Sequence, residues 1–245
     1  MDFSEQLHQA EIRDSLEKIL SEHCSQENLK EYDSKFKHDK NLLSLLSRNG
    51  YLGLGLNEKY GGSGEDLYDL GILFEQLGYH AAPLSLSGCL VDVAQTMQKF
   101  SNERSCKEIL SSIIAGEIYT SAILEPSNQD PENPMTTATI ENDQLIISGT
   151  KYLSEISSIA KSILISVNSS EGVLLVLVES DKVKLTELAS TANSPLFKVE
   201  LDSVRISKES IIHEQGRGLE ALRYLMQINM VMRSYIALGI TEKMT

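Results

Sequence analysis

The spacing of apolar positions changes character twice along this chain. Up to about residue 115 they recur every three or four residues, the period of a helix face. Between about 136 and 204 they alternate or form short continuous runs, as in strands. From Gly216 to Thr245 the helical period returns. Leu7, Ala10, Ile12, Leu16, Ile19 and Leu20 predict a first helix from Ser4, its N-cap, to about His23. Ser25–Lys35 reads as a polar connector, and Lys37–Arg48 as a second helix capped by Asn49-Gly50. Glu65-Asp66 open a helix carrying Leu67, Leu70, Leu73, Phe74 and Leu77, with Gly78 as its stop. Pro83 opens a further helix reaching Phe100, and Asn102–Ala115 forms another, ended by Gly116.

In the β region, Thr136–Glu141 and Gln144–Ser148 flank Asn142-Asp143, a two-residue hairpin turn. Gly149-Thr150-Lys151 is expected to turn the chain again. Lys161–Asn168 and Val173–Val178 are joined by a four-residue loop; Lys182–Leu188 and Leu196–Val204 follow. The connections look too short for parallel crossovers, which predicts a mostly antiparallel sheet or barrel. The unbroken apolar run 173–178 suggests a central strand. In the last segment Leu219, Leu222, Met226, Met230, Ala237, Ile240 and Met244 predict an apolar stripe on a helix about 40 Å long. That helix reaches Thr245 without a cap, so its packing partners are expected elsewhere. The fold class is α+β: an N-terminal all-α domain (1–119), an antiparallel β-sheet or barrel domain (120–214) and one long C-terminal helix (215–245).

Composition narrows the function. With 41% hydrophobic and 23% charged residues among 245, the chain reads as an ordinary globular protein. A net charge of -13 argues against nucleic acid as a partner, because phosphate binding needs a basic patch. Cys24, Cys89 and Cys106 form no metal-binding spacing and read as reduced thiols of a cytoplasmic protein. The five histidines are scattered, which makes a zinc site an unfavourable reading. No signal peptide or membrane span is expected. Gly55, Gly61, Gly62 and Gly64 could cradle phosphate, but they match neither GxxxxGK[ST] nor GxGxxG; tight turns are the better reading. The stretch 120–154, where the helical pattern gives way to the β pattern, is where a cleft is expected.

The order of parts resembles the acyl-CoA dehydrogenase family over nearly the whole chain. GYLGLGLNEKYGGSGEDLYDLGILFEQLGY is similar to the family's G-x-x-G-x-x-x-P-E-x-Y-G-G-x-G segment and the helix ending E-x-L-G. Gly116-Glu117 with Ala122–Pro126 looks like G-E … x-T-E-P, Ile147–Lys151 looks like L-x-G-x-K, and QGRGLEAL (215–222) looks like the opening of the C-terminal domain. The resemblance implies α,β-dehydrogenation of an acyl-CoA thioester: a carboxylate removes an α-proton and FAD accepts a hydride from the β-carbon. It implies cofactor contacts from Ile123, Leu124, Glu125, Asp130, Leu153, Ser154 and Glu155.

The chain departs from the family pattern at several of these positions. Leu124 replaces a Thr, so a hydroxyl contact to the flavin is lost while backbone contacts remain. Asn128-Gln129-Asp130 replaces a Gly-containing loop. Leu153 replaces an aromatic residue, and Glu155 brings negative charge towards the flavin. The catalytic glutamate is expected past Thr245; Glu242 reads as a solvated helix residue, and no catalytic residue is assigned. The resemblance therefore implies a flavoprotein completed by a partner chain or by C-terminal helices outside this sequence, with acyl-CoA as substrate and a homo- or hetero-oligomer formed through the 217–244 helix. Two alternatives stay open: a non-catalytic subunit acting as an interaction or scaffold module, and a β domain binding a CoA-like ligand without redox chemistry.

Overall fold

The computed structural model describes residues 5–35, 38–64, 66–190 and 195–245, without the side chains of 33–35. Ser4, Lys37 and Glu65, given roles at helix starts above, lie outside the described residues. Seven α-helices are described. Helix α1 (Leu7–His23) starts from a Gln6 cap, and α2 (Gln26–Lys35) occupies the stretch expected to be a connector. Its good helix formers suffice once Ser25 accepts from the Asn28 N–H at 3.3 Å. Helix α3 (Lys40–Arg48) is capped by Asp39, which accepts from the N–H groups of Asn41 and Leu42 at 2.9 Å. Helix α4 (Leu67–Tyr79) starts at Asp66 and runs past Gly78. The segment expected to be helical from Pro83 turns at Ser87: Ser87–Val93 is π-helical and continues as α5 (Ala94–Phe100). Pro83 itself uses its carbonyl to receive the Asp39 N–H at 3.1 Å. Helix α6 (Glu103–Ile114) closes the N-terminal half, and α7 (Gly218–Met244) follows the strands.

The strands are β1 (Tyr119–Ala122), β2 (Thr137–Glu141), β3 (Gln144–Glu155), β4 (Ser162–Ser169), β5 (Gly172–Glu179), β6 (Lys184–Leu188) and β7 (Leu196–Ser207). They make one mixed sheet, not a purely antiparallel one. β4 pairs with β5 along one edge; its other edge takes β1, in parallel, and β2 at Asn168. The order continues β2–β3–β7–β6, all antiparallel. The short-connection argument failed because the β2–β3 hairpin is itself the crossover between β1 and β4. Nor is β5 central: beyond β4 its one further pairing among the described residues is an isolated bridge, Val176 with Ile211. It is apolar throughout because both faces are covered. Leu175 joins the core under the helices, while Leu174, Val176 and Val178 join the core of the sheet. The loop joining β4 to β5 is shorter than predicted, because Ser169 pairs with Gly172.

Residues 149–151 do not turn the chain. β3 runs on to Glu155 through two register shifts, at Ile147/Gly149 and Lys151/Ser154. At the first, Gly149 has φ +152°, and a Cβ there would meet the Thr136 hydroxyl at 2.5 Å. At the second, Leu153 has φ +56°. Such bulges redirect side chains: Leu153 stands 44% exposed between buried Lys151 and Ser154.

The buried face of α7 differs from the predicted stripe. Ala221, Leu222, Leu225, Ile228, Met232 and Gly239 face inward, whereas Met230, Ile240 and Met244 are exposed. The helix packs on α4 through glycines. A Cβ on Gly239 would lie 1.9 Å from the Glu75 carbonyl oxygen, and one on Gly78 would lie 2.3 Å from that of Ile236. Gly78 is thus a contact residue, not a helix stop. No described helix is long and apolar enough to cross a membrane.

Candidate functional site

A cleft of about 850 Å³ opens where β1, the second bulge of β3 and α7 meet. Ile123, Leu124, Tyr152, Leu153 and Glu155 line it from the β side, and Met226, Asn229, Met230 and Arg233 from α7. Asp92 reaches it from the π-helical stretch. Leu124, Leu153 and Met230 are respectively 48%, 44% and 63% exposed, so the lining is apolar at several points. A larger cleft of about 1100 Å³ lies elsewhere, between the start of α6, β5 and residues 206–215. It is lined by charges of both signs and contains none of the predicted site residues.

Of the residues predicted to hold a cofactor, Ile123, Leu124, Leu153 and Glu155 come together in the cleft. Glu125 lies buried behind it, 2.7 Å from the ammonium of Lys151, which has no exposed surface. Glu125 also accepts from the Met135 N–H at 2.6 Å, the Thr136 hydroxyl at 2.6 Å and the Asn128 amide at 2.9 Å. Burial alone would push its carboxyl up, but Asn128, Lys151, Thr136 and Met135 together hold it at about 2. Ser154 is buried and donates to the Ser121 carbonyl at 2.7 Å, fixing β3 against β1. Asp130 sits in an exposed turn, accepting from the Glu132 N–H at 3.1 Å. Two residues on, Glu132 forms a two-pronged ion pair with Arg223 of α7, at 2.7 and 2.9 Å.

The polar wall of the cleft is one connected chain. Ser121 donates to Asp92 at 2.5 Å, and Asn229 donates to its other carboxylate oxygen at 2.6 Å. Arg233 donates to Asn229 at 2.7 Å and to Glu155 at 3.1 Å. Ser85 donates to the second oxygen of Glu155. Burial pushes the Asp92 carboxyl up to about 6, against the pull of Ser121 and Asn229. Sequence reasoning missed Asp92, Asn229 and Arg233. The signal for Asp92 was there: it is a lone charge inside the apolar run LSLSGCLVDVAQ (84–95).

A flavin is the ring system that the family resemblance implies for this lining. Exposed Leu124, Leu153 and Met230 beside Tyr152 suit a planar ring system. The negative charge that Glu155 would bring is balanced by Arg233, so the residues fit.

The sequence pattern described as "Acyl-CoA dehydrogenase, N-terminal domain" matches residues 6–117. Acyl-CoA dehydrogenase FadE12 of Mycobacterium tuberculosis (strain ATCC 25618 / H37Rv) is 25% identical over 219 residues, 84% of this chain and 56% of the relative. Both comparisons make the chain similar to the acyl-CoA dehydrogenase family, the family pattern covering its N-terminal half. It is also similar to the 3-(aryl)acrylate reductase of Clostridium sporogenes (strain ATCC 15579), 23% identical over 235 residues, 86% of this chain and 60% of the relative. The chain spans a little over half the length of these curated relatives. In fold it matches the ChsE4–ChsE5 complex of Mycobacterium tuberculosis with a TM-score of 0.91, at 20% identity, over 99% of this chain and 66% of that one.

Proposed function

We propose that this chain is a member of the acyl-CoA dehydrogenase family, binds FAD in the cleft between β1, β3 and α7 and takes part in α,β-dehydrogenation of an acyl-CoA thioester. The observation that carries this reading is the meeting of Ile123, Leu124, Leu153 and Glu155, all singled out by family resemblance, in one cleft of about 850 Å³. FAD, when bound, would supply the acceptor for the hydride that leaves the β-carbon. The chain's own residues would do the rest. Leu124, Leu153 and Tyr152 would bracket the ring system, and the backbone of 123–124 would hold its polar edge. Arg233 would keep Glu155 charge-balanced beside it. Buried, unpaired Cys24, Cys89 and Cys106 suit a reducing, cytoplasmic setting. The test is the visible absorption spectrum of the purified chain with added FAD. A bound flavin band, lost in Leu153→Asp, is the expected outcome. A folded chain that takes up no FAD would sink the reading.

A second reading is favoured by a separate observation. Val231 and Leu238 on one flank of α7, and Ile240 and Met244 on the other, leave apolar side chains exposed along the helix. They support a chain that works within an oligomer, of its own copies or with a related subunit, joined through α7.

A further inference from the structure

Three carboxylates and two guanidinium groups line the cleft among the described residues: Asp92, Glu132 and Glu155 against Arg223 and Arg233. One negative charge is in excess, and the pairing shows where it sits. Glu132 is held two-pronged by Arg223, and Glu155 is 3.1 Å from Arg233. Asp92 is left with neutral donors, the Ser121 hydroxyl on one oxygen and the Asn229 amide on the other. An ionised carboxylate can accept about four hydrogen bonds, so these two use about half of its capacity. Asp92 is only 5% exposed, on the buried π-helical stretch Ser87–Val93. That stretch is wedged against β1: a Cβ on Gly88 would meet the Thr120 hydroxyl at 2.6 Å. The charge is therefore fixed in place and poorly solvated, which strengthens its pull on a cation inside the cleft. Burial pushes the carboxyl up to about 6, which leaves it mostly ionised at neutral pH.

Beside Asp92 the wall open to an acyl group is polar, with Ser121, Asn229 and Arg233 in one hydrogen-bonded run. Pressing a plain hydrocarbon tail against it strips water from these groups and returns no hydrogen bond. A ligand carboxylate would meet Asp92 as a like charge. An ammonium group meets the unmatched charge and the remaining acceptor capacity. We propose that Asp92 makes this cleft select acyl thioesters whose acyl group ends in an amine, the ammonium seated on the Asp92 carboxylate. The inference rests on the reading of the cleft as an acyl-CoA site and adds the class of acyl group it takes. Asp92 acts in binding alone and moves no proton to or from carbon. Ser121 and Asn229 are positioning residues, each holding one oxygen of the carboxylate.

The experiment compares matched thioesters by equilibrium dialysis against the full chain with FAD present. β-Alanyl-CoA is butyryl-CoA with an ammonium in place of the terminal methyl, and 6-aminohexanoyl-CoA stands in the same relation to heptanoyl-CoA. In at least one pair the amine is expected to bind at least about 10-fold more tightly, the scale of one close charge pair. Asp92→Leu should abolish that preference and leave the alkyl thioesters bound at least as well as before. Alkyl thioesters that bind as tightly as their amine partners in both pairs, or an amine preference that survives Asp92→Leu, overturn the proposal and leave the site reading standing. If no thioester binds, both fall. Should Asp92→Leu fail to fold, Asp92→Asn keeps the size and removes the charge. Loss of the amine preference in that variant supports the proposal, and its survival overturns it.

Discussion

Lys151 has no exposed surface, and its ammonium is satisfied by Glu125 at 2.7 Å and the Ser166 hydroxyl at 3.0 Å. Together with Glu125 it pins the start of the 125–136 loop to β3 and so sets the wall that carries Ile123 and Leu124. Removing one member of a buried ion pair leaves the other uncompensated. Lys151→Met is therefore expected to cost on the order of 3 kcal/mol of unfolding free energy, read by urea denaturation. The pH sign follows from Glu125. Its carboxyl is held at about 2 in the folded chain against 4.5 ordinarily, so the stabilisation it gives is complete above the ordinary value and is lost as pH falls through about 2. A urea series from pH 7 to 2 should lose this contribution at the acid end, and Glu125→Gln should flatten that part of the curve. At this scale the sequence was partly legible. Family resemblance put Ile123, Leu124, Leu153 and Glu155 at the cleft. It could not separate Glu125, drawn inward by Lys151 and Thr136 from elsewhere in the chain, or Ser154, because alternation in β3 is broken by a bulge that only pairing reveals. Asp92 escaped because its stretch was read only as a helix, and the lone charge in the apolar run 84–95 was passed over.

At the scale of elements, α4 and α7 approach so closely that backbone meets backbone. Gly239 has no room for a side chain, with the Glu75 carbonyl 1.9 Å from where a Cβ would be. Gly239→Val is expected to destabilise the chain by about 1–3 kcal/mol, seen as a lower thermal midpoint. The same contact explains a misreading. The large apolar side chains of Met230, Ile240 and Met244 drew the stripe off the face that packs, where Leu222, Leu225, Ile228 and Met232 alternate with the small Ala221 and Gly239. In the sheet, the apolar run of β5 was read as centrality. What such a run reports is that both faces are covered; it is silent about hydrogen-bonded neighbours.

At the scale of the molecule, most helices and strands were legible from period and capping residues, and so was the switch from helices to strands near residue 119. The parallel partner of β1 was not, because pairing across a whole hairpin leaves no mark in local spacing. The apolar side chains left exposed on both flanks of α7 carry a prediction of their own. Leu238→Lys with Ile240→Lys should leave the thermal midpoint unchanged while shifting the chain to a smaller species in light scattering. An unchanged mass would mean that α7 does not hold an oligomer together.

The core beneath α1, α3 and α4 includes Leu222, Leu225, Ile228 and Met232. Residues from opposite ends of the sequence therefore share one interior. A chain leaving the ribosome cannot finish its first helical layer when residue 114 emerges, because the helix that seals it is still unmade. Until then the apolar surface of α4 is open to chaperones and to other nascent chains. The cleft beside β1 and β3, walled by that same late helix, is among the last features of the molecule to exist.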